Sequence, residues 1–301
     1  MQFIKYLKYR LSNIIKHNRA LIGLGNLILL RKNYSNIKYL ADSEMKIFSQ
    51  SGEDGIIDFI LNRINKKKDI KFIEIGTSDY EEANTRYIAE SRPCTGLLID
   101  LSNEINFVKK RNFYWQNQIY IENSRVSPEN INLILEKHDF LDDFDFLSLD
   151  IDGLDYWVLE KINLTNASLV VCEYNPLFGS EYSLTIPNTE NFNREKYSKL
   201  YFGASLKAFI KLMKKKGFIF LGSNSFCNNA FFVSAKYSKQ FDNLIIENLS
   251  NYVDFKFREI ILNNKKNFKE KLIKKIKDYE LLNLDSNRLI SIRELFKIND
   301  K

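Results

Sequence analysis

At 301 residues with 45% apolar content, the chain is long enough to bury one large core with appendages. Its formal charge of +7 is concentrated at one end: eight of the 45 Lys and Arg lie within residues 1–41, which hold no acid, and the other 37 face 38 acids. A near-neutral body argues against nucleic-acid binding, which gathers basic residues on the working domain, and Cys94, Cys172 and Cys227, scattered and without a CxxC pair, argue against a disulfide framework or a zinc site.

Residues 1–45 read as a basic helical arm, with Phe3, Leu7, Leu11, Ile14 and Ile15 at helical spacing among Lys and Arg. Such an arm either packs on the main domain, the favoured reading, or lies on an anionic membrane surface. The longest apolar run, ALIGLGNLILL at 20–30, is well short of the roughly 20 residues that span a bilayer. The expected location is the cytoplasm, with peripheral contact at the inner membrane through the arm.

From residue 46 to 239 apolar strands and amphipathic helices alternate. SQSGEDGIIDFILNRI opens a helix with a Ser/Gly/Asp-rich start. KFIEIG (71–76), TGLLID (95–100), FDFLSLD (144–150) and ASLVVCEY (167–174) are strands, and NFYWQNQ (112–118) is a weaker one. Helices are expected over 84–91, 103–110, 128–138 and 155–162, then in the longer stretch 203–217. Short apolar strands separated by helices describe a parallel sheet covered on both faces. FIFLGS (218–223) and AFFVS (230–234) stand only six residues apart, too close for a parallel crossover, so they form an antiparallel hairpin. Five parallel strands followed by a hairpin outline the seven-stranded Rossmann-like sheet of a class I methyltransferase. Residues 240–301 read as a mostly helical C-terminal extension.

In an open α/β sheet, ligands bind beyond the carboxyl ends of the strands. EIGTSDYEEANT ends the first strand with Glu74 and Gly76, where glycine lets backbone approach a ligand; neither GxGxxG nor a Walker lysine is present. Asp100 ends the second strand, where a carboxylate accepts both hydroxyls of a ribose. FLSLDIDGLDYWVLEKI places Asp150, Asp152 and Asp155 around Gly153. A calcium loop does not fit, because that pattern wants glycine sixth and glutamate twelfth, and Lys161 stands twelfth. Asp155 suits a helix start. Asp150 and Asp152 converge with Glu173 and Asn175 from the next strand, either as a general base or as a Mg²⁺ site. Neither His17, in the arm, nor His138, at the far edge of the sheet, is placed to act as the base.

The stretches SQSGEDGI, FIEIGTSDYEEANTRYI, LLID, FLSLDIDGLDYWVLEKI, VVCEYNPLFG, YFGASL, GSNSFCNNAFFV and FREIILNN resemble the FkbM-like S-adenosylmethionine-dependent methyltransferases, in a branch associated with bacterial surface-polysaccharide genes. The resemblance covers about residues 46–295 and leaves out the arm. It implies S-adenosylmethionine as cofactor and O-methylation of a sugar or capsule or lipopolysaccharide precursor. By motif, Glu74, Gly76, Thr77 and Ser78 would line the cofactor, with Asp100 and Leu101 at the ribose, and Asp150 near the methionine end. Asp150, Asp152 and Glu173 match the family's acids, although D-I-D-G replaces the more usual D-x-E-G. A sugar acceptor suits Tyr174, Asn175, Arg194, Tyr201, Asn224 and Asn228. The partners expected are a small molecule or glycan, not nucleic acid, and the sequence is compatible with a homo-oligomer. The rival readings are a non-catalytic binding or scaffold protein on the same fold, and a nicotinamide-dependent nucleotide-sugar oxidoreductase, which would need a glycine-rich first turn.

Overall fold

In the computed structural model, the described residues are 34–65, 69–244 and 268–298, together with 23, 25–28, 30 and 31. The first 22 residues of the arm, with His17, lie outside them, as does FREIILNN in the C-terminal extension.

Burial explains where each apolar run ends up. After helix α1 (Glu53–Arg63) comes strand β1 (Ile70–Ile75), whose alternate side chains face two different cores. Helix α2 (Arg86–Ser91), β2 (Cys94–Asp100), helix α3 (Asn112–Gln116) and β3 (Gln118–Asn123) follow. Next are α4 (Ile131–Lys137), β4 (Phe146–Leu149), α5 (Asp155–Lys161) and β5 (Leu169–Glu173). A short strand β6 (Leu184–Thr185) and helix α6 (Arg194–Tyr197) precede the long α7 (Leu206–Lys215). Strands β7 (Phe218–Ser223) and β8 (Asn229–Ser234) make the hairpin.

The seven main strands lie in the order β3-β2-β1-β4-β5-β8-β7. The first five are parallel, while β8 runs antiparallel to both β5 and β7. Five parallel strands followed by an antiparallel hairpin is the arrangement expected from the sequence. Ile73, Ile75, Leu147 and Leu149 pack towards α4, α5 and α7 on one face. Phe72, Leu98, Phe146 and Val171 pack towards α1 and α2 on the other.

The expected strand over 112–118 is displaced. Residues 112–116 form α3, and the edge strand is Gln118–Asn123, paired with Thr95–Asp100. Aromatic residues favour strands in general. Here, however, Phe113 is buried, and the Asn117 amide donates to the carbonyls of Ala89 and Phe113, which pins the helix end to α2.

The described part of the C-terminal extension is not all helix. After α8 (Phe268–Lys274), strands β9 (Glu280–Asn283) and β10 (Arg288–Ser291) form a hairpin that leads into α9 (Ile292–Leu295). β9 adds to β6, making a second, three-stranded sheet. Leu281, Ile273, Ile276 and Ile292 bury themselves with Leu177, Phe178, Leu184 and Ile186. The extension therefore clamps the segment between β5 and α7.

Candidate active site

Three strand ends are tied together. The Asp150 amide donates to the Ile75 carbonyl at 2.9 Å, and the Gly76 amide to Ile99 at 2.9 Å. Gly76 has φ +89°, and a Cβ there would lie 1.5 Å from the Asp150 carbonyl oxygen. The sequence suggested that this glycine serves a ligand. The structure gives a nearer reason, the joint between β1 and β4.

Beyond the joint the chain turns sharply through Ser78, whose φ is +49°. The Ser78 amide donates to Asp100 Oδ2 at 2.7 Å, and the Ser102 amide to Oδ1 at 2.6 Å. Each carboxylate oxygen keeps a further lone pair, so Asp100 is held in place and can still accept two hydroxyls. The Asn123 amide grips the carbonyls of Asp100, Leu101 and Ser102. Leu101 is left 66% exposed. Thr77 is buried, and its hydroxyl has no partner.

These loops floor a cleft of about 1250 Å³, lined also by the ends of β3 and β4 and by residues 188–195. Six acids and two arginines line it: Asp100, Glu129, Asp150, Asp152, Glu190 and Glu195 against Arg125 and Arg194.

At the β4 end, oxygens of Asp150, Asp152 and Glu173 lie within 4.8 Å of one another. Asp150 and Glu173 share a hydrogen bond, and Glu173 Oε2 is buried without a partner. Burial, then repulsion from the neighbouring aspartates, pushes Asp150 up to about 8 and Glu173 well above the usual carboxylate range. The pair therefore retains a proton near neutrality. Asp152, with φ +53°, is raised by burial but opposed by its ion pair with Arg194. Asp155 has another role. It accepts the amides of Ile151 at 2.8 Å and Gly153 at 2.9 Å, fixing the turn and opening α5.

The other expected site residues divide. Gly76, Ser78, Asp100, Leu101, Asp150, Asp152 and Arg194 line the cleft. Glu74 does not point there. Its carboxylate takes the amides of Asn84 at 2.8 Å and Thr85 at 3.0 Å and the Thr85 hydroxyl, which anchors the start of α2; burial raises it to about 7. The Asn175 amide is committed to backbone, donating to Leu200 and Phe202 and accepting from Leu177. Tyr174 is fully buried, its hydroxyl 3.2 Å from Ser223. Tyr201 donates to the Glu280 carbonyl and packs at a tilt against Tyr279 of the C-terminal clamp. Asn224 bonds Glu53 and Asn228 in a buried turn. His138 pairs with Glu122 at the β3 edge, and the three cysteines are free and buried.

The sequence reading missed Ser124, Arg125 and Phe192. Ser124 and Arg125 follow β3 directly, so placing that strand six residues early moved them off a strand end. Ser124 Oγ is buried without a partner in the cleft wall. Arg125 donates to the Phe192 carbonyl. Phe192 packs over Gly153, where a Cβ would meet its ring at 3.2 Å. No local motif marks Phe192.

No protein-family model matches the chain, and no curated protein does. Among solved structures, it is similar to the N-terminal domain of EvdMO1 with SAH bound, at 11% identity and a TM-score of 0.39 over 62% of this chain and 81% of that one. It is also similar to a TehB-like SAM-dependent methyltransferase from Corynebacterium glutamicum, at 12% identity and a TM-score of 0.35 over 70% and 98%.

Proposed function

We propose that the chain is an S-adenosylmethionine-dependent O-methyltransferase acting on a hydroxyl of a sugar or surface-glycan precursor. One observation carries this reading: an acid-rich cleft at the carboxyl ends of β1 to β4, with Asp100 able to accept a diol at one end and Asp150, hydrogen-bonded to Glu173, at the other. Such a field suits a cofactor that is cationic at its sulfur and its amine.

The residues present fit the cofactor. Asp100 would hold the ribose, exposed Leu101 and Ile151 would offer apolar cover for the base, and the turn at Gly76–Ser78 would wrap the amino-acid end. The bound sulfonium supplies an electrophilic methyl group, so the protein's part is alignment and proton removal. Asp150, which lines the cleft, is the residue we assign to receive the acceptor's hydroxyl proton, and Glu173, whose Oε2 is buried, hydrogen-bonds the same carboxyl group. In the protein alone the pair holds a proton. Positive charge in the cleft lowers both carboxyls by Coulomb attraction, so the base ionises as the cleft fills.

A divalent cation is a second reading, favoured by the three converging oxygens. Asp150, Asp152 and Glu173 would hold Mg²⁺, which would stabilise the acceptor's alkoxide. Arg194 already pairs with Asp152, and the Asn175 amide faces backbone partners instead. Methyl transfer that persists after exhaustive chelation would remove the ion and leave the carboxylate base.

Calorimetric titration with S-adenosylmethionine, S-adenosylhomocysteine and NAD tests the main reading. Both sulfur ligands should bind. Binding of NAD alone would replace the methyltransferase reading with an oxidoreductase, and binding of none would leave a scaffold.

A further inference from the structure

The connection from β2 to β3 has two faces. Val108 and Phe113 are buried and anchor it against the sheet, while Trp115 is 79% exposed and Phe107 50% exposed. Over residues 101–117 the connection holds Lys109, Lys110 and Arg111 against a single acid, the exposed Glu104. Arg111 pairs with Glu81. Lys109 and Lys110 are exposed, and neither forms an ion pair among the described residues. Lys110 Nζ stands 5.4 Å from the Phe107 ring centre. Singly exposed apolar residues are ordinary. Two aromatics with two unpaired ammonium groups on one anchored connection are a different matter.

The root of the basic arm lies on the same face of the sheet. Val108 and Phe113 share a core cluster with Ile37, Leu40, α1 and α2. Arg31 is bonded to Asp58 of α1, and Arg92 at the end of α2 reaches the same carboxylate at 2.8 Å.

We propose that this face docks on an anionic lipid surface. Trp115 and Phe107 enter the headgroup region, which amphipathic and aromatic rings prefer. Lys109 and Lys110 pair with the lipid's negative charge. A protein partner would need its own acidic patch matched to this shape, whereas an anionic bilayer supplies both the charge and the interfacial layer. The connection begins at Leu101 and Ser102 on the cleft rim, so a docked chain holds that rim within one loop of the lipid. This surface is separate from the arm and independent of the methyltransferase reading.

The test uses the full chain with vesicles of phosphatidylcholine alone or mixed with phosphatidylglycerol. Trp115 emission is isolated as the difference between the unmodified chain and Trp115→Phe, Trp157 being common to both. The expected result is a blue shift and quenching by brominated lipid, with anionic vesicles only. Lys109→Gln and Lys110→Gln should each lower vesicle affinity about fivefold, and Phe107→Ser should lower it without changing the melting temperature. Three outcomes would overturn the proposal. Sedimentation with vesicles at constant Trp115 emission would leave binding to the arm. A failure to sediment at all would remove the lipid surface. A shift of Trp115 emission with protein concentration in the absence of lipid would make the patch an interface with a second copy.

Discussion

The loops after β1 to β4 and the segments around β5 and the hairpin are similarly polar, yet they use their polar groups in opposite ways. In the first region Asp100, Ser102, Ser124, Asp150 and Asp152 keep open surface or unsatisfied atoms on a shared cleft. In the second, Asn175, Tyr174, Tyr201 and Asn224 are buried with partners already in place. The contrast recurs within five residues, where Asp155 is occupied by two backbone amides and Asp150 is opposed by its neighbours. A polar residue at a strand end indicates ligand contact only after its donors and acceptors have been counted.

Gly76→Ala breaks the comparison most severely, because it opens the joint on which the whole cleft is built. With the added Cβ 1.5 Å from the Asp150 carbonyl and φ at +89°, urea unfolding should show a loss of ~4 kcal/mol or more. Asn175→Ala isolates the second region. It removes three backbone bonds and should cost ~2 kcal/mol, while the folded fraction keeps its affinity for S-adenosylhomocysteine.

Asp150→Asn should act in the opposite direction on stability. Asp150 and Glu173 are both raised above their ordinary values, so the folded state holds protons that the unfolded state releases. Their contribution is fully present below about pH 4 and is lost as pH rises through about 8. Removing one charge should raise stability at pH 8 by ~1–3 kcal/mol, flatten the dependence on pH and abolish methyl transfer. Thermal unfolding at pH 5 and pH 8 reads the sign. The smallest effect belongs to Arg194→Ala: its pair with Asp152 is partly solvated, so stability should change by ~0.5 kcal/mol or less.

Much of the sheet was legible because near-continuous apolar runs such as FLSL and LVVC can bury both faces only inside a covered sheet. The hairpin followed from loop length. β3 was misplaced because NFYW carries strand-forming aromatics, while the amide of Asn117, which closes α3, has no one-dimensional signature. That single slip also hid Ser124 and Arg125. Asp100 and Asp150 could be found because each ends a strand. Glu74 ends one too, but its side chain faces α2, and a strand's alternation does not say which face carries the ligand. The contacts of residues 188–195 and of the C-terminal hairpin join distant parts of the chain, so only the folded structure brings Phe192 and Arg194 to the cleft.

The claim that this cleft holds the cofactor through Asp100 is tested most directly by comparing S-adenosylhomocysteine affinity in the unmodified chain and in Asp100→Ala by calorimetry. The loss of two charge-assisted hydrogen bonds should weaken binding ~10–100-fold with the fold intact. Equal affinities in the two proteins would place the cofactor elsewhere and contradict the account.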